Sequence, residues 1–154
     1  MDKSIQARID EFNSRLGSLY SDVSSWVQDF GLSIKEVEKT NTEERSGNYK
    51  TKKLEILKDG KKIAELNPIG MWIIGAEARV DLETDISKET FAYQGKRKPD
   101  VEATLSTGGE VKNKSFSYNY KDKQEGWHWI DDRIVGKTPL LDKDIFLNVL
   151  DHIS

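Results

Sequence analysis

Residues 71–83 read MWIIGAEARVDLE, and the second half of this segment alternates between two kinds of side chain. From Ala76 onward, small or aliphatic residues occupy every second position. The positions between them are charged: Glu77, Arg79, Asp81 and Glu83. Because successive side chains of a strand point to opposite faces, this pattern predicts a strand with one face in the core and a charged row facing bulk solvent. An antiparallel sheet with one covered face suits such a strand.

The first thirty residues follow a helical period instead. Apolar side chains recur at spacings of four and three: Ile5, Ile9, Phe12, Leu16, Leu19, Val23, Trp26 and Phe30. This spacing predicts a long amphipathic helix that ends at Gly31. The stripe is also close to a 3.5-residue repeat, so it can pack either on the chain's own sheet or on a second copy of the helix. We favour the first packing, and the second would make the protein a homodimeric scaffold.

Between Leu32 and Ile134 the period changes to two, with glycine, asparagine, aspartate and proline at short intervals. This pattern predicts strands at 32–39, 49–57, 61–66, 71–83, 90–94, 101–106, 114–120 and 127–133. The polar residues 38–48 are predicted to form a hairpin loop. The C-terminal segment DKDIFLNVLDHI, residues 142–153, predicts a shorter helix with Asp142 as its N-cap.

These elements predict a single α+β domain over residues 1–154. It would contain a long N-terminal helix, an antiparallel meander sheet of about six to eight strands and a short C-terminal helix. Such a meander can be a curved sheet or can bend into an open barrel.

Composition narrows the function classes. Charged residues make up 33% of the chain, but both signs are mixed and the net charge is -3, which favours solubility and says little about partners. The absence of cysteine excludes disulfides and thiolate sites, and suits a reducing compartment such as the cytoplasm. The longest apolar run, MWII, is far shorter than the ~20 residues that span a bilayer, so no membrane partner is expected. The basic clusters at 58–62 and 95–99 are too short to predict nucleic-acid binding.

Two tryptophans supply the most specific binding signal. Trp127 and Trp129 alternate in GWHWIDDR, residues 126–133, so both indoles are predicted to point to one face of a strand. Paired tryptophans usually belong to a core, but tryptophan is also enriched at binding hot spots. If this strand lies near the charged one, the binding residues would be Arg79, Asp81, Trp127 and Trp129.

One segment resembles a catalytic motif. Pro99 and Asp100 precede the triplet Glu110, Val111 and Lys112, which resembles the metal-dependent nucleases with a PD and ExK pattern. The resemblance implies that the two carboxylates hold Mg²⁺ and that the lysine stabilises charge or positions a water molecule. The competing interpretation is a hairpin tip, because the glycine pair at 108–109 directly precedes the triplet.

The sequence lacks the motifs of serine hydrolases, of phosphate-binding loops and of paired-histidine metal sites. There is no GxSxG segment and no phosphate-binding glycine loop, and the histidines, His128 and His152, lack the spacing of paired metal ligands. The sequence therefore predicts no catalytic residue, metal or cofactor. It favours a non-catalytic binding module of the inhibitor, immunity-type or adaptor kind, whose partner is a protein or small ligand. A divalent-metal nuclease and a homodimeric scaffold are the alternatives.

Overall fold

The computed structural model describes residues 3–71, 76–95, 124–130 and 139–153. Its elements confirm the predicted α+β class with a long first helix, an antiparallel meander and a short last helix. Helix α1 spans Lys3–Gln28 and helix α2 spans Lys143–Ile153. The strands are β1 (Ser33–Glu43), β2 (Gly47–Lys58), β3 (Lys61–Gly70), β4 (Ala78–Glu83), β5 (Lys88–Gln94) and β6 (Gly126–Ile130).

The described strands form one sheet whose spatial order follows the chain order from β1 to β6. Each strand pairs antiparallel with the next. The sheet is not closed, and β1 and β6 are the two outermost of the strands that the structure describes. The predicted strands at 101–106 and 114–120 lie outside the described residues.

The two outermost strands, β6 and β1, differ in what protects them from further strand pairing. Along β6, the Trp129 N–H donates to the Pro139 carbonyl at 3.0 Å and the Leu141 N–H donates to the Trp127 carbonyl at 2.8 Å, so residues before α2 cover this edge. Strand β1 carries mixed charges instead, including Lys35. Charged edge strands disfavour pairing with a further strand.

The core lies between the helices and one face of the sheet. The buried apolar stripe of α1 consists of Ile9, Phe12, Leu16, Leu19, Tyr20, Val23 and Val27. From β4, Ala78, Val80 and Leu82 face it with no exposed surface, as the alternation predicted. The α1 stripe therefore packs within the chain, as favoured. Its predicted last member, Phe30, is 63% exposed because the helix ends at Gln28 and Gly31 takes a φ of 73°.

Several predicted boundaries are wrong, including the end of β3, which was predicted at residue 66 and lies at Gly70. The strand predicted from residue 71 begins at Ala78 in the structure, while Met71 follows the end of β3 and residues 72–75 lie outside the described part. The predicted loop at 38–48 is mostly strand, since β1 continues to Glu43 and β2 starts at Gly47. Polar side chains hold this part of the ladder together, as where the Thr42 hydroxyl donates to the Asn48 side chain at 2.6 Å.

Buried tyrosines predict how stability depends on pH. The Tyr20 hydroxyl donates to the Lys52 carbonyl at 2.7 Å, and burial, with Glu36 nearby, raises its pKa far above the ordinary 10.0. A raised pKa in the folded state means that the stabilisation is complete below pH 10.0 and is lost as pH rises beyond it. Each such tyrosine steepens the loss by roughly 1 kcal/mol per pH unit.

We therefore expect Tyr20→Phe to unfold with a shallower alkaline decline than the unmodified protein. Urea unfolding at a series of pH values from about 9 to 11 measures this slope. Equal slopes for the two proteins would contradict the assignment. Tyr49 should keep part of the decline in the variant, since burial and its hydrogen bond to Glu43 also raise its pKa.

Candidate functional site

Arg79 and Asp81 form an ion pair on the sheet face opposite the helices. The guanidinium donates through Nε to Oδ1 at 2.9 Å and through Nη2 to Oδ2 at 3.0 Å, and the Thr90 hydroxyl of β5 donates to Oδ1 at 3.1 Å. Asp81 is 1% exposed, so the prediction that its carboxylate faces bulk solvent is wrong. Its carboxylate is bound by the Arg79 guanidinium and the Thr90 hydroxyl instead of by the solvent water that the sequence pattern predicted.

Polar contacts continue from this pair across the sheet. Asn67 of β3 lies opposite Asp81 in the register, and its side-chain N–H donates to Glu83 Oε2 at 3.1 Å. Lys39 of β1 donates to the Asn67 side chain and to the Pro68 carbonyl, the latter at 2.7 Å. Burial lowers the pKa of Lys39, and the nearby carboxylates only partly offset this effect. The side chains of Lys39, Asn67 and Glu83 therefore form hydrogen bonds within the chain.

Glu65 completes this charged face. Its carboxylate accepts hydrogen bonds from Lys53 at 3.3 Å and from Lys62 at 2.9 Å. Burial raises its pKa, but the two lysines lower it by more, so the net pKa lies below the ordinary value. The charged row is thus engaged in contacts within the chain, and any partner would have to replace them.

Glu77 departs from the predicted row. Its N–H donates to the Tyr93 carbonyl at 2.8 Å although Ala78 is the register partner of Tyr93, so two residues oppose one, as in a β-bulge. The Glu77 carboxylate therefore reaches α1, where Arg15 Nη2 lies 3.4 Å from its Oε1. Gly95 leaves room for this side chain, because a Cβ there would lie 1.7 Å from Glu77 Oε2.

The two tryptophans face the helices. Trp127 and Trp129 lie opposite Tyr93 and Phe91 in the β5 register, on the covered face. The Trp127 indole donates to the Arg15 carbonyl at 3.2 Å and is 7% exposed, while the Trp129 indole donates to Glu89 Oε1 at 3.0 Å. Arg79 and Asp81 occupy the opposite face, and β5 separates their strand from β6. The structure therefore does not bring the four predicted binding residues together on one surface.

An open cleft lies where α1 passes the β5 and β6 strands. We call it the Trp127 cleft; its volume is about 440 Å³, within the range of small-ligand sites. Helix α1 contributes one wall, and Tyr93 with the start of β6 contributes the other. The lining includes Ser14, Arg15, Ser18, Leu19, Asp22, Trp26, Tyr93, Gly126, Trp127, Leu140 and Leu141.

Arg15 organises one end of the Trp127 cleft. Its guanidinium carbon lies 4.0 Å from the centre of the Tyr93 ring, and its nitrogens lie 3.4 Å from Glu77 and 3.3 Å from Glu11. Tyr93 meets Trp127 edge to face, with ring centres 5.5 Å apart. The Tyr93 hydroxyl donates to Glu125 Oε2 at 2.8 Å, and burial with this hydrogen bond raises its pKa. The aromatic wall is therefore fixed by several contacts.

A glycine borders the opening of the cleft. Gly126 has a φ of 147°, and a Cβ at this position would lie 2.9 Å from Leu140 Cδ1. A side chain there would strain the backbone and press on the cleft lining. The glycine in GWHWIDDR was not among the predicted site residues, although its place before two tryptophans was a usable signal.

The remaining catalytic candidates are not assembled in the described part of the chain. His128 is 1% exposed and its Nε2 lies 2.7 Å from the Gln124 carbonyl, while His152 is exposed on α2. No group of three histidine or acidic residues that could hold a metal ion occurs within residues 3–71, 76–95, 124–130 and 139–153. The nuclease-like Asp100, Glu110 and Lys112 lie outside these ranges. Neither described helix has the length and apolar character to cross a membrane.

Comparison with protein-family models, curated proteins and solved structures finds no match in any of the three.

Proposed function

We propose that the protein is a non-catalytic binding module, of the inhibitor, immunity-type or adaptor kind, and that the Trp127 cleft receives part of its partner. The observation that carries the proposal is the cleft itself: an open space of about 440 Å³ with an aromatic wall. Clefts of this size with apolar lining and a few polar groups are the usual setting for recognition.

The cleft wall is held in place before any partner binds. Tyr93 is fixed by Arg15, by Trp127 and by Glu125, and the Trp127 indole is fixed by the Arg15 carbonyl. A fixed aromatic surface loses little conformational entropy on binding, so more of the contact energy contributes to affinity. This arrangement supports recognition by the helix-covered side of the sheet.

The cleft also presents polar groups that make no hydrogen bond to any other described residue. The Ser18 hydroxyl and the Trp26 indole N–H make no hydrogen bond to another described residue. The polar groups around Asp81, on the sheet face opposite the helices (the outer face), differ from those of the cleft, because each already has partners within the chain. Of the two faces, the cleft therefore has the greater capacity for new hydrogen bonds.

We assign binding rather than catalysis to the cleft because of its chemistry. The described lining offers the Asp22 carboxylate, serine hydroxyls and the ion-paired Arg15, but no imidazole placed to activate a hydroxyl. Nucleophilic catalysis by serine needs such a base within hydrogen-bond distance.

Blocking the cleft tests the proposal. We expect isothermal titration with short capped peptides, in basic, acidic and uncharged sets, to detect binding by at least one set. Ser18→Tyr fills the cleft from an exposed helical position and should weaken that binding about tenfold, which equals about 1.4 kcal/mol.

Ser21→Tyr is the matched control, because Ser21 is also exposed on α1 but is not part of the cleft lining. It should leave the affinity unchanged, and circular dichroism should show that both variants keep the fold. If no set binds, or if Ser18→Tyr and Ser21→Tyr have equal effects, the cleft is not the binding site and the proposal fails.

A further inference from the structure

We infer that the Trp127 cleft recognises a cationic side chain, lysine or arginine, of a partner polypeptide, and that Asp22 is the group that pairs with it. The inference rests on the proposed function of the cleft and adds the chemical class of its ligand. In this cleft the charge of Arg15 is paired with carboxylates of the chain, whereas the charge of Asp22 has no ion-pair partner among the described residues.

The guanidinium of Arg15 is not available to an anionic ligand without loss of existing contacts. It lies within 3.4 Å of Glu77, within 3.3 Å of Glu11 and 4.0 Å above the Tyr93 ring, with 16% of its side chain exposed. An acidic ligand would have to compete with two carboxylates for this cation. The Arg15 end of the cleft is therefore electrostatically satisfied.

Asp22 is in the opposite situation. It lines the cleft from α1, is exposed, and has no hydrogen bond or ion pair with a described residue. It lies seven residues after Arg15, which on a helix is about 10 Å along the axis, too far to share that cation. Glu125 is not part of the lining, but its carboxylate accepts a hydrogen bond from the lining residue Tyr93 and carries a further negative charge near the cleft. Among the described lining residues, the charge without an ion-pair partner is therefore the negative charge of Asp22, which favours a cationic ligand.

The neighbours of Asp22 suit a cationic side chain with a hydrocarbon stem. Trp26 follows four residues later on the same helical face, and an aromatic ring beside a carboxylate favours an ammonium or guanidinium group. Leu19, Trp127 and Leu141 provide apolar lining that methylene groups can cover. A bare divalent cation is a poorer fit, because it needs several oxygen ligands.

Asp22→Asn tests the inference in the full chain. We expect it to weaken binding of the basic peptide about fivefold, equal to about 1 kcal/mol, the upper range for an exposed ion pair. Asp22→Lys should abolish detectable binding of the basic peptide. Asp10→Asn is the matched control: Asp10 is exposed on the same helix, is bonded to Gln6 at 3.0 Å, and is not part of the cleft lining.

The outcomes separate this inference from the proposed function. If Asp22→Asn weakens the basic peptide and Asp10→Asn does not, the inference is supported. If the acidic or uncharged peptide binds most tightly and Ser18→Tyr blocks it, the cleft is a binding site but the cationic ligand is wrong. An equal effect of Asp22→Asn and Asp10→Asn also overturns the inference, because it shows only the effect of net charge.

Discussion

Phe146→Ala is expected to lower the free energy of unfolding by about 3–5 kcal/mol, the range for removal of a buried phenylalanine. Phe146 has no exposed surface, and its ring centre lies 5.7 Å from that of Trp26 and 6.0 Å from that of Phe91. It therefore joins α2 to both α1 and β5. Removing the ring leaves a cavity where these elements meet, and equilibrium unfolding in urea measures the loss.

Asn148→Ala is the control for this prediction, because Asn148 is exposed on the same helix. Its effect should stay within about 0.5 kcal/mol, as for most surface substitutions. A loss below about 1 kcal/mol for Phe146→Ala would mean that α2 does not pack at this position.

Arg79→Leu is expected to cost about 2–3 kcal/mol, because it leaves the Asp81 carboxylate without its bidentate partner. Asp81 is 1% exposed, so little water can replace the guanidinium. The expected loss is below the largest values for broken buried pairs because 34% of the Arg79 side chain is exposed, which gives solvent a path to the site. Urea unfolding again measures the change.

Two further variants test whether the loss arises from leaving the buried Asp81 carboxylate without its partner. Lys52→Leu breaks a pair with Glu36 whose members are both exposed, at 3.8 Å, and should change stability by less than about 0.5 kcal/mol. The double variant Arg79→Leu with Asp81→Leu removes both charges and should be more stable than Arg79→Leu alone. Equal stability of Arg79→Leu and the unmodified protein would show that the pair is not buried as described.

The sequence predicts the parts of this fold that depend on local periodicity. Apart from Phe30, the α1 stripe is confirmed, as are the inward face of β4 and the N-cap of α2. At this cap, the Ile145 N–H donates to Asp142 Oδ1 at 2.9 Å. Each depends on residues close in the chain, where helical or strand geometry alone fixes which side chains share a face.

Features that depend on pairing between strands are not predicted. Alternation shows that Trp127 and Trp129 share a face, but not that this face is opposite to that of Arg79, because the connections and register between strands decide it. The bulge at Glu77 likewise needs the partner strand to be known.

The cleft was missed for a related reason. Arg15, Ser18 and Asp22 flank the apolar stripe of α1, and helical spacing shows only that they lie beside it. The contact between Arg15 and Tyr93 joins residues far apart in the chain. Which flank of the helix would face β5 and β6 therefore depends on tertiary packing.

The measurement that most directly tests recognition by the helix-covered face is an NMR titration with the basic peptide. It follows the indole N–H signals of Trp127 and Trp26 together with the guanidinium Nε–H signal of Arg79 on the opposite face. We predict that the two indole signals shift with added peptide while the Arg79 signal stays fixed. A shift of the Arg79 signal with unchanged indole signals would place the binding surface on the outer face and contradict the account.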